Sequence, residues 1–191
     1  MKSPKADSTQ PPQTKPSKRL LTVGIPALVV AGMALLLLWN PYSNPAATVG
    51  QRVPDFSLTD LEGRPLEISA LREKPTLFYF SAAWCVPCRA ETRELARLYG
   101  QYRHQFQVVW ISIDPFVDSK QNLLSHRSQY GHTDFRYALD SRTDPLVLRY
   151  RVQARGSMVL VNPQGEIIFR GIRAVSDPRF LEVLHQAVGR S

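Results

Sequence analysis

The chain has 191 residues and a formal charge of +8. That length suffices for one packed domain with an appendage. No Lys/Arg stripe interleaved with aromatics runs through it, which argues against a nucleic-acid partner. The charge is uneven, because residues 1–19 hold five cations (Lys2, Lys5, Lys15, Lys18 and Arg19) against Asp7 alone.

Residues 1–19 also hold four prolines and almost nothing apolar. Such a segment cannot bury enough surface to offset its ordering entropy, so it reads as a disordered arm. Leu20 to Trp39, LLTVGIPALVVAGMALLLLW, is then twenty residues without a charge. A helix of that length, rising about 1.5 Å per residue, spans a hydrocarbon core of about 30 Å. Trp39 and Tyr42 stand where interfacial aromatics belong, and Lys15, Lys18 and Arg19 place the N-terminus in the cytoplasm. A cleaved signal peptide is the competing reading. Its apolar region is about 7–15 residues, shorter than this run, and NPYSNPAA offers no clean small-x-small site. The expected organisation is a cytoplasmic arm (1–19), a transmembrane helix (20–39), a linker (40–49) and a domain (50–191) across the cytoplasmic membrane, extracytoplasmic or periplasmic.

Within that domain, Val53–Gly63 suggests a short strand and a turn, and Arg64–Leu71 a second strand. Thr76–Ala82, TLFYFSA, is a compact β-prone run of one buried strand. After the cysteines, Leu95, Leu98, Tyr99 and Tyr102 recur at helical spacing. Phe106–Asp114 is a further buried strand. DSKQNLLSHRSQYG predicts a helix capped by Asp118 or Ser119. A short segment FRYALD, without an assigned element, and a helical turn around DPLVLRYRV follow. Met158–Gly171 predicts a hairpin turning at Asn162–Gly165. SDPRFLEVLHQAVG predicts a closing helix begun by Ser176 or Asp177. The order gives an α/β domain with a central mixed sheet flanked by helices.

The only cysteines, Cys85 and Cys88, lie in SAAWCVPCRAE. As a staple the pair closes a very short loop, which stabilises by roughly 2 kcal/mol and ties nothing distant together. As a zinc site it lacks two ligands, because His104, His126, His132 and His185 show no zinc-finger spacing and read as solvated or capping side chains. No metal or other cofactor is expected. As a redox pair it fits better. Cys85 falls at the start of a helix, where the dipole and free N–H groups favour a thiolate. Pro87 suits the first helical turn. An extracytoplasmic compartment allows both dithiol and disulfide.

Three further stretches, PDF with the DLEG after it, LREKP and WCVPCRAE, resemble the TlpA/ResA/DsbE group of membrane-anchored thiol–disulfide proteins of the redoxin (AhpC/TSA-like) superfamily. The likeness runs from about Gly50 to the C-terminus. It implies a thioredoxin-like fold and a thiol–disulfide oxidoreductase that reduces extracytoplasmic protein disulfides, in cytochrome c maturation or oxidase assembly. It further implies a protein substrate and a membrane electron-relay donor. Cys85 would attack, Cys88 would resolve, and Glu91, three residues on, would tune the pair. Trp84 and Pro87 would shape the substrate rim. Tyr79 stands where many thioredoxins carry a buried acid.

One family feature is missing. Where a cis-proline and a threonine face the disulfide and shape substrate docking in relatives, this chain has Gly156 and Ser157, preceded by Arg155, and these three join Trp84 and Pro87 as expected substrate-binding residues. Either Gly156 makes the required turn and exchange continues with other substrates, or the missing ring opens space for a soft metal such as Cu(I). WISIDPFVDSKQNLL also resembles Sco-type copper chaperones of oxidase assembly. Those use C-x-x-x-C and a histidine, whereas here the spacing is C-x-x-C and Met158 is the one nearby soft side chain. A Sco-like copper chaperone and a redox-inert thioredoxin-fold adaptor therefore stand as alternatives.

Overall fold

The computed structural model describes residues 29–30, 32–33, 48–102, 105–130 and 134–189. The chain divides into two units, Met1–Pro41 and Tyr42–Ser191. Of the apolar run 20–39 only Val29, Val30, Gly32 and Met33 fall among the described residues, and they are helical. The rest of that run, the arm 1–19 and most of the linker lie outside them. Among the described residues no helix is long and apolar enough to cross a membrane.

The second unit opens with two short strands, β1 (Ser57–Thr59) and β2 (Pro65–Glu67), paired antiparallel across the DLEG turn. Asp60 shapes that turn, its Oδ1 accepting from the backbone N–H of Glu62 at 3.1 Å and of Arg64 at 2.8 Å. The second strand is shorter than the sequence suggests, because Ile68–Leu71 winds into a 3₁₀ helix. A straight strand would send Ile68 and Leu71 to opposite faces. The three-residue turn stacks them on one face, and both are buried.

The main sheet then forms in the order β5-β4-β3-β6-β7. Strand β3 (Thr76–Ser81) lies at its centre, with β4 (Gln107–Ser112) parallel on one side and β6 (Ser157–Val161) antiparallel on the other. Strand β5 (Arg136–Leu139) extends the parallel side, and β7 (Ile167–Ile172) closes the hairpin with β6. Helix α1 (Val86–Gln101) joins β3 to β4, and α2 (Lys120–Ser128) joins β4 to β5. The four-residue α3 (Leu146–Arg149) precedes β6, and α4 (Pro178–Ala187) ends the fold. The mixed sheet and the hairpin agree with the sequence reading. Strand β5, read only as a short segment, is the addition. Its four residues are too few for a periodicity, yet Tyr137 and Ala138 are both fully buried, one towards each face.

Successive side chains of β3 serve two cores. Leu77 and Tyr79 join Trp110, Tyr137, Met158 and Leu160 under Leu95 and Tyr99 of α1, Leu123 of α2 and Phe180 and Leu184 of α4. Phe78 and Phe80 join Val109, Ile111 and Val159 on the other face, covered by Phe56, Leu66, Ile68, Leu146 and Tyr150. A strand buried on both faces reads as an unbroken apolar run, which is what TLFYFS is. This packing fixes the end of β3, and the cysteines follow it directly.

Candidate redox site

After Ser81 the chain turns through Ala82, Ala83 and Trp84 and enters α1. Cys85 is the N-cap of that helix, in extended backbone conformation, and its N–H donates to Ala82 O at 3.1 Å. Pro87 lies in the first turn, where a missing N–H costs nothing. Cys85 and Cys88 are joined by a disulfide, with their Cα atoms 5.3 Å apart. Cys85 retains 7 % exposure and Cys88 only 1 %, so Cys85 is the less deeply buried of the two. When the bond opens, the free N–H groups and dipole of a helix of 16 residues favour the thiolate at that position.

Beneath the pair the structure is held from β4. Thr92 Oγ1 donates to Cys88 O at 2.9 Å and accepts from Trp110 Nε1 at 3.3 Å. The loop after β4 fixes the approach to Cys85. Asp118 is buried, and its Oδ2 accepts from Ala83 N at 2.8 Å and from Ser112 Oγ at 2.7 Å. Asp114 accepts from Trp84 Nε1 at 3.2 Å. The sequence offered Asp118 or Ser119 as the cap of α2. Ser119 takes that role, accepting from Asn122 N at 3.2 Å, which frees Asp118 to turn inward. Both acids lie beyond the C-terminal end of a buried parallel strand, where α/β folds collect site residues. That position was the available signal for them.

An open groove of about 450 Å³ runs beside the disulfide, lined by Trp84, Cys85, Pro87, Cys88, Arg155 and Arg173 among others. Trp84 is 42 % exposed, and the Arg155 guanidinium carbon lies 4.4 Å from the centre of its ring. Trp84, Pro87 and Arg155, three of the expected substrate-binding residues, line this groove. Gly156 and Ser157 do not. Both are buried, and the Ser157 hydroxyl turns back to donate to Ala154 O at 2.7 Å.

Gly156 has φ +85°, and no cis peptide bond occurs among the described residues. Its N–H donates to Phe80 O at 2.7 Å, a bond that proline cannot make, and its carbonyl accepts from Arg173 N at 2.7 Å. A Cβ at this position would lie 2.7 Å from Cγ of Arg173. The space that a missing ring was expected to open is therefore occupied by the Arg173 side chain. Met158, the other candidate for a soft-metal role, packs in the core with Tyr79 and Trp110.

Glu91 lies one turn along α1 from Cys88, on the same face. Its Oε1 accepts from Val175 N at 3.1 Å. Partial burial raises its pKa above the usual glutamate value, and that hydrogen bond and the nearby Arg173 charge temper the rise. Tyr79 is fully buried with no hydrogen-bond partner for its hydroxyl. Burial, and then the Glu91 charge, push its phenol far up, so it stays neutral.

The reading of the histidines as solvated fails at His126. It is 2 % exposed, packs 4.7 Å from the Trp110 ring, and neither ring nitrogen has a hydrogen-bond partner. Burial and the Arg89 charge lower its pKa from 6.5 to about 4, against an opposing pull from Asp118. His185 stacks on Tyr102, and His104 and His132 lie outside the described residues.

A disulfide at a helix N-terminus, beside an open groove and with its second cysteine more deeply buried than its first, is an arrangement suited to thiol–disulfide exchange. Among curated proteins, the chain is 26% identical to the thiol-disulfide oxidoreductase ResA of Bacillus thuringiensis (strain Al Hakam) over 153 residues, 78% of this chain and 86% of that protein. It is 31% identical to nucleoredoxin of Mus musculus over 111 residues, 56% of this chain, and spans about a quarter (25%) of nucleoredoxin's length. Among solved structures, a putative thiol:disulfide interchange protein DsbE from Chlorobium tepidum superposes with TM-score 0.63 at 22% identity, covering 75% of this chain and 100% of the other. BsSco, of the Sco family of cytochrome c oxidase assembly proteins, superposes with TM-score 0.61 at 14% identity, covering 77% and 98%. These likenesses confirm a thioredoxin-like fold. The AhpC/TSA family pattern matches residues 49–170, and the chain belongs to that family.

Proposed function

We propose that this protein is a thiol–disulfide oxidoreductase of the ResA/DsbE type that reduces disulfides of protein substrates outside the cytoplasm. In this reading the segment 20–39 anchors it in the membrane with its N-terminus in the cytoplasm. Its work belongs to cytochrome c maturation or oxidase assembly. The observation that carries the reading is the asymmetry of the pair beside the groove, in which Cys85 caps α1 and Cys88 is more deeply buried. The likeness to ResA supports it.

Exchange proceeds in two displacements. The Cys85 thiolate attacks one sulfur of the substrate disulfide, a Cys85–substrate bond forms, and the other substrate sulfur leaves as a thiolate that takes up a proton. Cys88 then gives up its proton and attacks the Cys85 sulfur. The Cys85–Cys88 bond forms and the second substrate sulfur leaves. Two electrons have passed to the substrate. A dithiol donor, here a membrane electron relay, must return them. Glu91, one helical turn from Cys88 and with its pKa raised by partial burial, is the group assigned in this reading to take the Cys88 proton.

The equilibrium reduction potential tests this direction. A value near or below that of thioredoxin, about −270 mV, is the predicted result. A value near that of a disulfide donor, about −120 mV, would remove the reductase reading. If no reversible disulfide forms, the redox assignment itself falls, and the copper and adaptor roles come forward.

A further inference from the structure

Two arginines, Arg155 and Arg173, line the groove beside Cys85. The Arg155 guanidinium lies on the Trp84 ring, with its carbon 4.4 Å from the ring centre. The Arg173 stem lies across Gly156, its Cγ 2.7 Å from where a Cβ of residue 156 would sit. Arg173 is held there at a cost. It is a non-glycine residue with φ +48°, pinned by its N–H bond to Gly156 O. A side chain in that conformation persists only where its surroundings over-determine it, and such residues gather at functional sites. A glycine at 156 is what lets the arginine lie so close.

Neither arginine forms an ion pair among the described residues. Both are exposed. No Asp or Glu lines this groove. The acids nearby are engaged elsewhere: Asp114 holds Trp84, Asp118 holds Ala83, and Glu91 accepts from Val175. The groove therefore presents two cations beside the disulfide and no acid among its lining residues, Glu91 being the one carboxylate among the described residues whose pKa the Arg173 charge lowers.

We infer that Arg155 and Arg173 form a carboxylate clamp that selects protein segments with Asp or Glu flanking the reactive cysteine. The inference rests on the exchange activity proposed above and names the substrate class. Acidic neighbours of a substrate cysteine meet these guanidinium groups as the two sulfurs approach, and basic neighbours are repelled. Glutathione disulfide is also anionic, but its carboxylates stand at the ends of a short tripeptide and not on side chains of a longer segment lying along the groove.

The test uses the full-length reduced protein and four disulfides. Three are blocked peptide dimers whose single cysteine is flanked by Asp and Glu, by Ser and Ala, or by Lys and Arg. The fourth is glutathione disulfide. At low salt the acidic dimer is reduced roughly tenfold faster than the neutral one, as two exposed ion pairs allow, and the basic one more slowly. Raising the ionic strength to about 0.5 M collapses that ratio towards one, because exposed pairs are screened. In the Arg155→Gln/Arg173→Gln double variant the acidic-to-neutral ratio falls to within about twofold at any salt, while the paired lysine variant retains most of it. Equal rates for acidic and neutral dimers in the wild type overturn the clamp and leave the exchange activity standing. A preference that survives in the glutamine variant overturns it too, since the general positive charge of the chain would then be its source. So does acceleration seen with glutathione disulfide alone. Failure to reduce the neutral dimer at all removes the underlying activity, and the clamp with it. The salt series on the wild type decides the matter even if the double variant does not fold.

Discussion

The loop after β4 and the pair Gly156–Arg173 approach the disulfide from different strands, and their charges are used in opposite ways. In the first, the carboxylates of Asp114 and Asp118 are spent on donors of the cysteine loop. In the second, Arg155 and Arg173 rest on an aromatic ring and on a glycine, and neither has an ion-pair partner among the described residues. The difference separates shape from recognition. The buried Asp118 carboxylate, hydrogen-bonded to the Ala83 N–H and the Ser112 hydroxyl, holds the backbone entering α1, whereas an exposed cation without a counter-ion is left for a partner.

The sharpest way to break that comparison is to remove the spent acid. Asp118→Ala leaves the Ala83 N–H and the Ser112 hydroxyl without their buried acceptor. Loss of charged hydrogen bonds of this kind costs about 3 kcal/mol. We expect that loss as a lower denaturant midpoint, together with slower exchange, because the cysteine loop loosens. An Asp118→Ala form as stable as the wild type would show that this loop does not hold the site.

Acidification probes the same side through His126. Unfolded, the ring binds a proton below about pH 6.5; folded, it resists until about pH 4. The unfolded state thus holds more protons between those values, so stability is fully present above pH 6.5 and is lost as pH falls through the window. The loss is on the order of 3 kcal/mol. Denaturation midpoints measured from pH 7 to pH 4 should fall, and His126→Phe should flatten the fall. An unchanged slope in the variant would place the acid sensitivity elsewhere.

On the arginine side the expected effect is smaller. Gly156→Ala meets both the positive φ and the Arg173 stem, at about 1–2 kcal/mol. Because the Arg173 side chain can shift to relieve the contact, the variant should also show a reduced preference for acidic peptides. The least effect belongs to Trp84→Phe, which removes the Nε1 bond to Asp114 at an exposed position and should cost under about 1 kcal/mol. It keeps a ring for Arg155 and should therefore keep most of the acidic preference.

Much of this was legible in the chain. The run TLFYFS showed a strand buried on both faces, and WCVPC at its end placed a redox pair on a helix start. Residues whose role depends on distant packing were not legible. Ser157 follows the gap left by proline in the family pattern, yet it folds back onto Ala154, and its position alone could not reveal that. Arg173 lies seventeen residues beyond Gly156, past a whole hairpin, and only the pairing of β6 with β7 brings them together. His126 looked like a polar residue near a helix end. The rings of Trp110, Tyr130 and Tyr137 enclose it, and two of those come from other elements of the fold.

The central claim is that Cys85 attacks and Cys88 resolves. Trapping tests it most directly: Cys88→Ala and Cys85→Ala forms are each reduced, mixed with a peptide disulfide, quenched with acid and weighed by mass spectrometry. The account predicts a stable mixed disulfide on Cys85 in the first form and little or none in the second. A mixed disulfide that accumulates on Cys88 instead, or adducts equal in both forms, would contradict it.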